Sequence, residues 1–215
     1  MKKNKFLRFC GILIFCAFAI TGCAQRQIKN LDSKGKTIIC FGDSITFGYG
    51  VVPGEDYPTQ LSKLMNTPII NAGVDGDTST TALARLDSEV LAKDPFLVIV
   101  ELTGNDFLKK VPMEETKKNI GEIVDRIQAK GVMVAIADVS AVMFLAEYRA
   151  VLARIAREKG AIFIPQLLNG IITTPSLKSD FIHPNAAGYK LIAQRVLRVI
   201  SPYLKQNLNS THAAR

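Results

Sequence analysis

The 215-residue chain has only two histidines, and the first of them, His183, stands three residues after an aspartate in Asp180-Phe181-Ile182-His183-Pro184-Asn185. On one tight turn that spacing can bring a carboxylate to a ring nitrogen, fixing the imidazole tautomer and stabilising the imidazolium. A histidine held this way is a general base that needs a nucleophile. The segment Phe41-Gly42-Asp43-Ser44-Ile45-Thr46 offers one, a serine directly after an apolar run, with its own backbone N–H free to bind an oxyanion. The same Gly-Asp-Ser reads equally as a turn followed by a helix cap. Two further clusters are Asn71-Ala72-Gly73-Val74-Asp75-Gly76-Asp77-Thr78 and Thr103-Gly104-Asn105-Asp106. Glycines let backbone approach a ligand closely, and the Asn105 amide can donate to the same oxyanion. Both compositions also suit ordinary strand-to-helix turns. The second histidine, His212, falls in a polar tail over residues 206–215, which reads as frayed. Serine–histidine chemistry would therefore rest on His183.

For these clusters to meet, each must follow a strand of one sheet. Short, continuously apolar runs at 37–41, 68–71, 96–102, 132–139 and 161–164 read as parallel strands covered on both faces. Helical periodicity lies between them. Ile120, Ile123, Val124 and Ile127 form one stripe within 114–129, and Leu83, Leu86 and Val90 another after an N-cap at Asp77 or Thr78. Tyr189, Ile192, Ala193 and Val196 mark a last helix, begun near Pro184 and ended at Pro202. Strand–helix alternation predicts an α/β fold, a doubly wound three-layer α/β/α domain on a five-stranded parallel sheet of flavodoxin-like kind. Ligands in such sheets bind beyond the carboxyl ends of the strands, which is where the clusters fall.

Taken in order, the four clusters resemble those of the SGNH, or GDSL, hydrolases, especially the branch of arylesterases and multifunctional lysophospholipase-thioesterases. The likeness runs from about residue 37 to 204, and Tyr49-Gly50 and Tyr57-Pro58 also match the branch. The resemblance implies a catalytic Ser44–His183–Asp180 triad and an oxyanion hole from the N–H groups of Ser44 and Gly76 and the Asn105 amide. It implies a serine esterase of carboxylic esters or thioesters, acting on acyl esters or lysophospholipids through an acyl-enzyme, with no cofactor and no metal. An O-deacetylase of envelope polysaccharides and a non-catalytic binding lipoprotein are the alternatives. One departure stands out: the third block normally reads Gly-Gly-Asn-Asp, and Thr103 replaces its first glycine. The added bulk is expected to narrow the pocket or alter the loop. Phe107-Leu108 and Val142-Met143-Phe144-Leu145 are candidates for an acyl pocket or for the starts of core-facing helices.

The N-terminus reads as an address. Lys2, Lys3, Lys5 and Arg8 precede an apolar run from Phe9 to Ile20, too short for a comfortable membrane span, which ends in Ile20-Thr21-Gly22-Cys23. This resembles the bacterial lipobox, with residues 1–22 a signal peptide and Cys23 lipidated. The expected setting is the bacterial cell envelope outside the cytoplasm, with a lipid anchor holding the domain to a membrane. Residues 23–35 read as a tether, 36–205 as the hydrolase domain. Removing the four leader cations leaves +4 of the formal +8, dispersed along the chain without an aromatic-interleaved basic stripe, so no nucleic-acid partner is expected. Cys10 and Cys16 belong to the leader, and Cys40, the one thiol left for the domain, reads as a buried structural residue.

Overall fold

The computed structural model describes residues 27–140 and 146–213. Strand β1 (Thr37–Gly42) leads through a short helix α1 (Ser44–Phe47) into α2 (Tyr57–Met65). Then come β2 (Ile69–Gly73), α3 (Ser79–Glu89), β3 (Pro95–Glu101), α4 (Gly104–Leu108), α5 (Met113–Ala129), β4 (Met133–Ala137), α6 (Ala146–Lys159), β5 (Ile162–Ile164) and α7 (Ala186–Ala213). The five strands form one sheet in the order β2-β1-β3-β4-β5, every pair parallel. The expected doubly wound α/β fold is the one observed.

Both faces of the sheet are covered, and strand side chains alternate between them. Ile38, Cys40, Leu97 and Ile99 join the core beneath α2 and α7; Ile39, Phe41, Val98 and Val100 join the core beneath α3, α5 and α6. This is why the strands read as unbroken apolar runs rather than alternating ones. After β1 the chain moves outward to β2, then crosses back to place β3 on the other side of β1. The helices that follow β1 and β3 thus leave toward opposite faces, opening a crevice between the two carboxyl ends.

Two expectations about the chain's ends are corrected. The last helix continues through Pro202 to Ala213 instead of stopping at the proline. Its apolar side goes on past that residue, with Tyr203 and Leu204 packed on the core, and the Asn207 amide donates to the carbonyls of Leu31 and Ser33. These contacts outweigh the one hydrogen bond that proline removes. The described part of the expected tether is docked: Ile28 and Leu31 pack on the core, and Lys29 N–H donates to the Gly160 carbonyl. Asn30, in the left-handed region at φ 58°, donates to the carbonyls of Gln128 and Val132. All these partners lie at the amino ends of the strands, the pole opposite Ser44. The expected signal peptide with Cys10, Cys16 and Cys23, and the apolar run 142–145, lie outside the described residues.

Candidate active site

Strand β1 ends at Gly42, paired with Glu101 at the end of β3. A Cβ at position 42 would run into the Glu101 carbonyl and the Thr46 hydroxyl, so only glycine lets the chain turn there. Asp43 then caps α1, its Oδ1 accepting from Ile45 N–H at 3.0 Å. Ser44 becomes the first helical residue, and N–H groups of a first turn have no intrahelical acceptor. The cap and the exposed hydroxyl, two separate readings of Gly-Asp-Ser, coexist on adjacent residues.

From the far side of the crevice, the turn before α7 brings His183 to Ser44. Ser44 Oγ and His183 Nε2 are 3.0 Å apart, and His183 Nδ1 is 2.8 Å from Asp180 Oδ2. The ionised carboxylate only accepts, so Nδ1 carries the proton and Nε2 of the neutral ring accepts from the serine hydroxyl. Asp180 Oδ1 also accepts from the N–H groups of Ile182 and His183, at 2.9 and 2.8 Å. Burial opposes the Asp180 charge, but the His183 ring and these two N–H groups outweigh it and hold its pKa at about 2. Tyr49 covers the imidazole, ring centroids 4.4 Å apart, and is itself tied down by a 3.0 Å bond from the Tyr189 hydroxyl to its carbonyl.

Ser44 and His183 line a cavity of about 270 Å³, together with Asp43, Asn105, Gly104 and Asp75. Much of the remaining lining is apolar, from Phe107, Leu108, Val139, Leu168, Ile172 and Ile182. Phe107 and Leu108 are exposed and face this cavity, which resolves their two readings in favour of the pocket. Asn105 stands where expected, in the first turn of α4 beyond β3. Gly76 does not line the cavity: its neighbour Asp75 does, while Gly76 sits behind in the left-handed region at φ 78°, its carbonyl accepting from Lys109 Nζ at 2.7 Å. Thr103 is also absent from the wall. It is buried, and the departure from glycine shows in the backbone, where it takes φ 112° as N-cap of α4 without making a capping bond.

Several supports had no signal in residue spacing. Arg85 donates to the Gly42 carbonyl at 3.1 Å, pairs with Asp77 and lies over the Phe41 ring, so one side chain ties the loops after β1 and β2 together. Asp106, fully buried, accepts from Ser79 N–H and from the hydroxyls of Ser79 and Thr116, joining α3, α4 and α5 behind Asn105. Cys40 is a buried free thiol whose pKa burial pushes up to about 12, which leaves it unreactive. Among the described residues no group of three or more His, Cys, Asp or Glu is placed to hold a metal ion.

A Ser–His–Asp hydrogen-bonded chain at the switch point of a doubly wound sheet, opening on an apolar cavity, is an arrangement that can transfer acyl groups. Comparison with known proteins agrees on the class. The GDSL-like lipase/acylhydrolase family model matches residues 40–191, most of the chain, and the chain belongs to that family. It is 24% identical to esterase TesA of Pseudomonas aeruginosa, over 87% of this chain and 99% of that one. It is 25% identical to thioesterase 1/protease 1/lysophospholipase L1 of Escherichia coli K12, over 80% of this chain and 86% of that one. The solved esterase EstA of Pseudoalteromonas, inhibited by monoethylphosphonate, superposes with a TM-score of 0.70 at 25% identity, covering 79% of this chain and 99% of that one.

Proposed function

We propose that the chain is a serine esterase of carboxylic esters and thioesters, with medium-length acyl esters or lysophospholipids as its substrate class and an acyl-enzyme on Ser44 as its intermediate. The observation that carries this reading is the continuous chain from Ser44 Oγ through His183 to Asp180, abutting the apolar cavity. His183 takes the serine proton as Ser44 attacks the acyl carbonyl, and Asp180 steadies the resulting imidazolium. The oxyanion receives the Ser44 N–H and the Asn105 amide, each such donor lowering the barrier by about 2.7–4 kcal/mol; the Gly76 N–H, one residue along from the cavity-lining Asp75, is the third donor that the family resemblance implies. His183 then returns its proton to the leaving group, and water activated by the same histidine releases the acid. The acyl chain runs along Val139, Leu168 and Ile172.

Hydrolysis of p-nitrophenyl esters graded from acetate to dodecanoate, by the chain and its Ser44→Ala variant, tests this. The expected result is a medium-chain optimum that vanishes in the variant. An acetate-only optimum would instead support removal of acetyl groups from polysaccharide, and a folded chain no more active than Ser44→Ala would overturn the esterase reading. For location, the basic leader, apolar run and Cys23 support a lipid anchor in the bacterial envelope. The docked segment after residue 26 meets the domain at the pole opposite Ser44. Three residues separate Cys23 from that segment, so an anchor there would hold the cavity mouth facing away from its own membrane. Incorporation of radiolabelled fatty acid, abolished by Cys23→Ala, is the expected outcome; label that persists in the variant would refute the anchor.

A further inference from the structure

Directly beneath the nucleophile lies a pair of acids that the proposed mechanism does not use. Glu101 is fully buried at the end of β3, Asp43 is nearly so, and their side chains are in hydrogen-bond contact. Glu101 Oε2 accepts from the Thr46 hydroxyl at 2.7 Å, and that hydroxyl lies 3.3 Å from the Tyr57 hydroxyl. Asp43 Oδ1 accepts from Ile45 N–H. The remaining Glu101 oxygen, Oε1, is buried and makes no hydrogen bond; the Asp43 N–H beside the carboxyl donates to the Glu101 backbone carbonyl at 3.2 Å. No described cation forms an ion pair with either group: the nearby Arg85 is engaged by Asp77 and by the Gly42 carbonyl.

Two touching carboxylates without a cation, Glu101 sealed from water and Asp43 reaching it only where it lines the cavity, are strongly disfavoured from ionising together. The undonated Glu101 oxygen identifies where the retained proton sits. A carboxyl oxygen with nothing to accept from is satisfied once it carries a hydrogen and donates it, and the adjacent acceptor is Asp43. Asp43 has reason to be the anion, because as N-cap it accepts a backbone N–H of α1 and feels the positive end of the first turn. We infer that Glu101 is a positioning residue that remains protonated, donates to the Asp43 carboxylate and accepts from Thr46, and so clamps the turn carrying Ser44 from both sides. Helix α1 is a single turn, too short to hold itself, and Glu101 fastens its cap and its third residue to the end of β3. Burial raises the pKa of both acids, in keeping with one proton retained by the pair.

Loss of that proton would put a second negative charge behind the site where an oxyanion forms. The groups facing the pair are Cys40 on β1, Tyr57 on α2, Asp106 on α4, Asp56 and Asp77 in the adjoining loops, and Tyr189 on α7. The thiol and both phenols are themselves pushed upward by burial, so they do not supply an earlier titration.

The inference rests on the esterase reading for its kinetic readout, so the test has two arms. In the first, kcat/KM on p-nitrophenyl butyrate is followed against pH for the full chain solubilised in detergent and for Glu101→Gln and Glu101→Ala. The Gln amide donates to Asp43 and accepts from Thr46 as the protonated acid does. Glu101→Gln is expected to stay within about tenfold of the wild type near neutrality while its alkaline limb moves up by about one pH unit or more. Glu101→Ala, which leaves Asp43 and Thr46 unpartnered, is expected to lose a further tenfold or so. An alkaline limb unchanged in Glu101→Gln would overturn the inference even with esterase activity intact. The second arm is infrared spectroscopy, which needs no catalytic activity. The wild type is expected to show a protonated carboxyl carbonyl band at mildly alkaline pH, assigned by its loss in Glu101→Gln where that variant folds; absence of the band in the wild type refutes the retained proton.

Discussion

Thr103 holds a conformation that glycine adopts freely and a β-branched residue almost never does, and the sign of a simple comparison will show whether that strain is real. At φ 112° and ψ −21° a side chain at this position is strained by about 1–3 kcal/mol. The natural comparison is Thr103→Gly against Thr103→Ala, because both remove the hydroxyl and the methyl, and Thr103 makes no capping bond to lose. Relative to alanine, glycine gives up about 0.8 kcal/mol of buried carbon and about 0.5–1 kcal/mol of chain entropy. With strain in the upper half of its range, glycine comes out ahead by about 1 kcal/mol, or roughly 2–4 °C in Tm for a domain of this size. At an ordinary position the order is reversed, with alanine ahead by about 0.5–1 kcal/mol. Urea unfolding and thermal melts of the two variants are the assay. If Thr103→Ala proves as stable as Thr103→Gly or more so, residue 103 is unstrained and the reasoning fails.

Asp180 makes two linked predictions. Asp180→Asn should lower kcat by about 10⁴ while KM changes little, since an amide no longer fixes the ring tautomer; steady-state kinetics showing less than a tenfold loss would remove Asp180 from the orienting role. Its folded pKa of about 2 lies below the unfolded value of about 3.9, so its stabilising contribution is complete above the latter and is lost as pH falls toward the former. Acid titration of stability should accordingly be steeper in the wild type than in Asp180→Asn across that window, and parallel curves would contradict it. On the apolar wall, Ile172→Trp should shift the chain-length optimum of the ester series toward acetate, and an unmoved optimum would take Ile172 out of the acyl path.

The strands were legible because a parallel sheet covered on both faces leaves no polar positions, and the runs at Ile38–Phe41 and Leu97–Val100 carry that mark. Helix α2 was not read: Tyr57-Pro58 looks like a turn, and only Tyr57, Pro58 and Leu61 are buried, too few to make a stripe. Proline there occupies the first turn, where its missing N–H costs nothing. Ser44, Asn105, Asp180 and His183 could be found because each is placed by its immediate neighbours in sequence. Arg85 and Glu101 could not, because their partners come from strand order and register. The sequence held one sign of Glu101, an acid within an otherwise apolar strand run, and a charge buried there has to be explained by something across the sheet.

The Gly42-Asp43-Ser44 turn shows why local and functional readings of one motif need not compete. Had Ser44 been the N-cap, its hydroxyl would have accepted a backbone N–H of the first turn and pointed back along the helix. Moving the cap one residue earlier gives that task to Asp43, whose Oδ1 takes Ile45 N–H. Ser44 is then free to donate its hydroxyl to His183, and its N–H stands in the first turn without an internal acceptor. Aspartate suits the cap better than a second serine, because its charge is favoured at the start of a helix and its other oxygen can meet the Glu101 proton. The glycine before it is required because the Glu101 carbonyl and the Thr46 hydroxyl fill the space a Cβ at position 42 would need. Each residue of the triplet has a separate physical task, and the nucleophile is the residue left unburdened by the other two.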